Sequence, residues 1–127
     1  MRIPILIVAA VVAIGTGGVA LGAPVSVQVA KGQASFASNC ASCHGPTLGG
    51  AFGPPLKGAE FFKQWNLKTA RNLYSRILTT MPASAPGTLS PKTVVDLTIY
   101  LLTQNGVHVG SKAKKSPDQL NSILIKH

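Results

Sequence analysis

The five residues Cys40-Ala41-Ser42-Cys43-His44 constrain what this chain can fold into more than any other feature. Two thiols three residues apart lie about one helical turn from each other, and the next residue offers an imidazole. That spacing is the pattern for covalent haem attachment: the thiols form thioethers with the two vinyl groups and the histidine faces the iron. The expectation is therefore a domain built around one flat macrocycle, with Cys40 and Cys43 as its anchors and His44 as the first axial ligand.

Rival readings of the motif need partners that the chain does not offer. A redox dithiol belongs near alternating strands and helices, and no such alternation is visible. A closed zinc site wants four ligands, yet outside the motif only His108 and His127 remain, both in a polar C-terminal segment. Two cysteines cannot make a disulfide scaffold.

The N-terminus reads as an export signal. Arg2 precedes an apolar run from Ile3 to Ile14, and small residues follow as far as Ala23. Residues 1–23 are expected to be a signal peptide cut near Gly22. The competing reading is an uncleaved anchor, because Ile3 to Val25 is long enough to span a bilayer. Residues 24–127 then form one small domain, with a basic C-terminal tail from about residue 107. Covalent haem matters for a domain of that size, because a large apolar cofactor gives its helices surface to bury.

Lys and Arg number 12 against three acids, for a formal charge of +9. Export and a haem motif argue against nucleic acid as the partner of that charge and for an acidic protein patch or an anionic membrane. Paired-carboxylate catalysis is excluded by so few acids, so the chain is expected not to be an enzyme. Lys31, Lys57, Lys63, Lys68 and Lys92 are scattered, and the sequence does not say whether they share a face.

Along the mature chain, the first helix is expected from about Val29 into the motif, with Phe36, Cys40, Cys43 and His44 near one face. Gly45 to Gly58, with Gly49-Gly50 and Gly53-Pro54-Pro55, reads as a loop. A short helical turn covers Glu60 to Gln64. Trp65 follows, its indole N–H meeting either a haem propionate or a backbone carbonyl. Thr69 caps a helix to Thr80, with Leu73, Tyr74, Ile77 and Leu78 inward and Arg71, Ser75, Arg76 and Thr79 outward. Pro82 ends it and pushes Met81 into an extended turn. Met81 is the only methionine besides the initiator, and a thioether at a rigid turn is the usual partner of histidine on an electron-transfer haem, so it is the second iron ligand expected. His108, beyond the helix exit at Asn105-Gly106, is the substitute; His127 is terminal. Ser90 caps and Pro91 begins the last helix, whose run from Val94 to Leu102 exceeds one amphipathic stripe and should be buried against the first helix and the haem edge. The tail carries Lys112, Lys114 and Lys115, and its Ile123-Leu124-Ile125 is expected to dock as a short strand or turn.

Taken together, these stretches resemble the class I c-type cytochromes: an all-α fold of three to five helices around one covalent haem c. Gly32 and Phe36 stand where that family packs its first helix on its last, with Leu97 and Tyr100 as the matching contacts. Gly53-Pro54-Pro55-Leu56-Lys57-Gly58 resembles the family's G-P-x-L-x-G loop. The resemblance implies that the Pro54 carbonyl accepts a hydrogen bond from His44 and that Leu56 packs on the haem, with Trp65 in the same environment. A narrower resemblance, over Lys57 to Trp65, Arg76 to Ser90 and Tyr100 to Gly106, is to small cytochromes associated with quinoprotein dehydrogenases that use pyrroloquinoline quinone.

These readings converge on a periplasmic carrier of single electrons from such a dehydrogenase to a terminal oxidase or another cytochrome, docking on acidic partner surfaces. Two alternatives stay open. One is a haem enzyme or gas sensor with an open axial position. The other is a membrane-anchoring subunit held by an uncleaved N-terminus.

Overall fold

Pro24 holds an extended backbone (φ −68°, ψ 151°), and the chain becomes helical directly after it. In the computed structural model, which describes Gly15, Gly18 and residues 22–127, the first helix α1 spans Val25–Asn39. The expected export segment over 1–23 lies, apart from Gly15, Gly18, Gly22 and Ala23, outside the described residues. α1 starts four residues before the expected Val29. The reason is tertiary: the Val25 N–H, an orphan donor of a helix start, bonds to the Ser111 carbonyl at 2.8 Å.

The helices α2 (Ala41–His44), α3 (Ala59–Trp65), α4 (Ala70–Thr80) and α5 (Pro91–Gln104) follow in order, then a 3₁₀ helix at Pro117–Ser122. Among the described residues there are no strands, only two isolated β-bridges. No helix among them is long and apolar enough to cross a membrane.

α1 and α5 form the central crossing. Gln28, Gly32 and Phe36 recur every four residues and are the buried face of α1. At Gly32 the backbones touch: a Cβ there would collide with the Asp96 carbonyl and lie 2.6 Å from the Tyr100 Cβ. One turn on, the Phe36 and Tyr100 rings pack with centroids 5.6 Å apart. α5 begins as its sequence indicates. The Ser90 hydroxyl accepts from the Thr93 N–H at 3.1 Å and Pro91 takes the first turn, where no N–H is needed. Every residue from Val94 to Leu102 is buried, and the chain leaves through Gly106 at φ 70°.

α4 lies on the other side of α5, with Leu73, Tyr74 and Ile77 buried. Its start is held by Asn72, whose Oδ1 accepts from the Thr69 N–H at 3.0 Å and the Thr69 hydroxyl at 2.9 Å. α3 extends the expected turn by one residue at each end.

Residues 107–127 do not hang from the domain as a tail but form a strap. Val107, Val109, Leu120, Ile123 and Ile125 are buried in the core. The strap crosses the start of α1, where the Ala113 N–H bonds to the Ala23 carbonyl at 3.0 Å. Its 3₁₀ helix then packs on α4, with Arg71 and Asp118 paired at 3.2 Å. Leu124 forms an antiparallel bridge with Thr69, so Ile123-Leu124-Ile125 docks as the sequence suggests. Terminal His127 packs edge-on against Phe62, centroids 4.7 Å apart, instead of fraying. Where the strap meets α1, Lys31, Lys92, Lys114 and Lys115 surround one surface cleft.

Candidate functional site

At Cys40 (φ −125°, ψ −34°) the chain leaves α1 and re-enters a single helical turn, α2, which carries the rest of the motif. The Cys43 and His44 N–H groups both bond back to the Cys40 carbonyl, at 3.2 and 2.9 Å. This turn brings both thiols and the imidazole to one wall of a cavity of about 370 Å³, the size of a small-molecule site. The thiols form no disulfide. Burial, with Cys43 alongside, pushes the Cys40 thiol up to about 11, the opposite of the depressed value that a reactive dithiol needs.

His44 is buried, and its Nδ1 lies 2.8 Å from the Pro54 carbonyl oxygen. A carbonyl only accepts, so Nδ1 carries the proton and donates, which leaves the Nε2 lone pair for a metal. The loop that delivers Pro54 is closed on the motif. The Gly53 N–H bonds to the Cys43 carbonyl at 2.7 Å and the Gly50 N–H to the His44 carbonyl at 2.8 Å. Gly53 has to be glycine because a Cβ there would stand 2.9 Å from His44 Cε1 and Nδ1.

Met81 enters the same cavity from the end of α4. Its backbone is extended (φ −120°, ψ 153°), while its N–H closes the helix on the Ile77 carbonyl at 3.0 Å. All seven residues singled out from sequence (Cys40, Cys43, His44, Pro54, Leu56, Trp65 and Met81) line this one cavity. Phe36, Leu73, Ile77, Leu97 and Leu101 supply apolar walls from α1, α4 and α5. His108 is exposed and outside the lining, because the strap carries it toward α1. Among the described residues no group of three or more His, Cys, Asp or Glu side chains is arranged to hold a metal ion.

Two residues at or beside the site have roles beyond those the sequence indicates. Arg76 is exposed, as expected for the outer face of α4, and it also stands at the rim of the cavity. A charged residue one turn before the end of α4 reads as solvated, and nothing in the apolar periodicity marks it as bordering a cavity. Asn105 ends α5, as the Asn105-Gly106 pair indicates. Its side-chain amide donates to the Leu56 carbonyl at 3.0 Å and its Oδ1 accepts from the Gly58 N–H at 2.9 Å, so it staples the Pro54-Leu56 loop to the end of α5. The described hydrogen bonds include none from the Trp65 indole to a carbonyl; its ring instead carries the Lys68 ammonium 5.1 Å from the centroid.

The donor set fits a covalent haem. Two thiols and an imidazole with a fixed tautomer occupy one wall, a thioether comes from a separate element, and the rest is apolar. Comparison with known proteins agrees. The family model described as cytochrome c oxidase, cbb3-type, subunit III matches residues 27–101. No curated protein matches the chain in sequence. A chain in the crystal structure of the sulfane dehydrogenase SoxCD from Paracoccus pantotrophus is similar over 76% of the present chain, with 29% identity and a TM-score of 0.59. The present chain spans about half of that chain's length, 52%. With well over half of its residues matched by the family model, the chain belongs to this cytochrome c family and is an all-α, class I, monohaem c-type cytochrome carrying covalently bound haem c.

Proposed function

We propose that the protein is an exported, periplasmic electron carrier in which Cys40 and Cys43 form the thioethers and His44 and Met81 ligate the iron. The observation that carries this reading is the single cavity shared by His44, its Nδ1 committed to Pro54, and Met81 at the extended exit of α4. The haem iron supplies a one-electron couple. The protein's residues bind and tune it: the Pro54 carbonyl orients the imidazole and raises its basicity, and a thioether ligand raises the potential. Phe36, Leu56 and Leu97 keep water from the site, which disfavours the more highly charged oxidised iron. No acid, base or nucleophile is needed, and we assign no catalysis of its own to the chain.

The donor in this reading is a dehydrogenase and the acceptor a respiratory oxidase or another cytochrome. A quinoprotein dehydrogenase using pyrroloquinoline quinone is supported by the resemblance of Lys57 to Trp65 and Arg76 to Ser90. Similarity to a chain of a sulfane dehydrogenase supports a sulfur-compound dehydrogenase as the second reading. Lysines around an otherwise acid-poor surface suit an acidic docking face.

The test is visible and near-infrared absorption of the exported protein in both redox states, beside Met81→Ala and with carbon monoxide. A sulfur-to-iron band that is lost in the variant, and a wild type inert to carbon monoxide, are expected. A wild type without the band that binds carbon monoxide would replace this reading with the enzyme or gas-sensor alternative. N-terminal sequencing of the same preparation distinguishes cleavage near Gly22 from an anchored Met1. Stopped-flow reduction by each dehydrogenase class distinguishes the donors.

A further inference from the structure

The strap, residues 107–127, touches the two helices that deliver the iron's expected ligands. At α1 its attachment is a buried clamp. Gln28, 4% exposed, donates through Nε2 to the Lys114 carbonyl and to Asp96 Oδ1, both at 2.8 Å, and accepts the Lys114 N–H on Oε1 at 2.8 Å. A side-chain amide here pairs with both polar groups of one strap residue, as a neighbouring strand would. At α4 the attachment is a short ladder: Ala70 N–H to Ile123 carbonyl at 2.8 Å, Leu67 N–H to Ile125 carbonyl at 2.8 Å, and Ile125 N–H to Lys68 carbonyl at 2.9 Å. Leu120 and Ile125, fully buried, fill the core below.

α1 leads into Cys40–His44, and α4 ends at Met81. Both helices pack on α5, and the strap adds a second connection between them. The family match ends at Leu101, so none of this strap falls within the matched domain.

We infer that the strap is a positioning element for Met81, holding the sulfur in place by fixing the base of α4 relative to α1. This inference rests on the reading of Met81 as an axial ligand. A thioether is a weak, exchangeable ligand of oxidised iron, so its occupancy depends on how little the scaffold must reorganise to present it. α4 has 11 residues, making a rod of about 16 Å, and a tilt of about 5° at its base carries its tip about 1.4 Å. That displacement is enough to open an iron–sulfur bond. With its base bonded to Ile123 and Ile125, the rod is restrained where a tilt would start.

The test compares ferric holoproteins of wild type, Gln28→Leu, Ile123→Ala and Val95→Ala. Val95 is buried in α5 at 2% exposure, outside the cavity lining, and its side chain makes no hydrogen bond, so its truncation loosens the core while leaving every hydrogen bond of the strap in place. For each protein, the melting temperature is measured together with the pH at which the near-infrared sulfur-to-iron band disappears and with carbon monoxide binding in the ferrous state. Gln28→Leu and Ile123→Ala should lower that pH by about one unit, a tenfold rise in the displaced form, and should admit carbon monoxide. Val95→Ala, at a matching loss of melting temperature, should do neither. If all three variants fall on one line of band-loss pH against melting temperature, the strap contributes only general stability and the inference is overturned. A wild type with no band at any pH overturns the Met81 reading itself, and this inference with it.

Discussion

The Asn105 side chain and the Leu56 backbone are joined by a hydrogen bond of 3.0 Å, and the same side chain accepts from the Gly58 N–H at 2.9 Å. The end of α5 therefore fixes the loop whose Pro54 carbonyl orients His44. Replacing Asn105 with alanine leaves the Leu56 carbonyl and the Gly58 N–H to water, at a cost of about 0.5–1.5 kcal/mol for each bond lost. Thermal unfolding of Asn105→Ala should fall by roughly 4–8 °C per kcal/mol, with a shift in haem reduction potential alongside. A potential equal to wild type would show that the staple does not reach His44.

Gly53 lies against the imidazole so closely that a methyl group would stand 2.9 Å from two ring atoms. Gly53→Ala must displace either the ring or the loop, an overpacking cost of about 1–3 kcal/mol. The expected result is a lower yield of haem-loaded protein and a changed redox potential in what survives. Unchanged yield and potential would mean that the loop yields without disturbing His44.

At the α1–α5 crossing, a Cβ on Gly32 would meet the Asp96 carbonyl and the Tyr100 Cβ, neither of which is a movable side-chain tip. Gly32→Ala should therefore destabilise despite its gain in helix propensity, which is only about 1 kcal/mol. The opposing overpacking term is about 1–3 kcal/mol, and a direct backbone collision belongs at its upper end. Denaturant unfolding decides the sign: a variant more stable than wild type would show that the helices can separate freely.

Tyr100 gives a pH limit. Burial raises its phenol above the ordinary 10. Above about pH 10 the unfolded chain loses this proton while the folded chain keeps it, so the unfolded state binds fewer protons and stability falls as pH rises. The contribution is complete below the unfolded value and lost as pH climbs through the folded one. Tyr100→Phe keeps the ring against Phe36, 5.6 Å away, and removes the titration. Its stability should decline less than that of wild type as pH rises above the ordinary phenol value; equal slopes would assign the decline to other groups.

Much of the site was legible because it is local. The haem motif, the Met81-Pro82 turn and the Ser90-Pro91 start are each set within a few residues, and the structure places the motif and Met81 at one cavity and Ser90 at a working cap. The resemblance to class I cytochromes led to the Pro54 contact, which local pattern alone would not have assigned. Missed features have distant partners. Gln28 bonds to Lys114 across 86 residues, and Asn105 to Gly58 across 47. A buried glutamine and a helix-ending asparagine look the same in a sequence whether or not such a partner arrives.

The sequence by itself determined the chemistry and the local geometry: two thiols and an imidazole on one helical turn, a thioether freed by a proline, and helices bounded by their caps. These depend on covalent spacing and on backbone preferences that act within one or two turns. Only the tertiary structure decided where α1 begins, which side chain staples the Leu56 loop, that Arg76 reaches the cavity, and that the lysine-rich end binds the domain as a strap. Each depends on which segment the completed fold brings alongside, and the backbone and amide groups among them take whichever donor or acceptor arrives within reach.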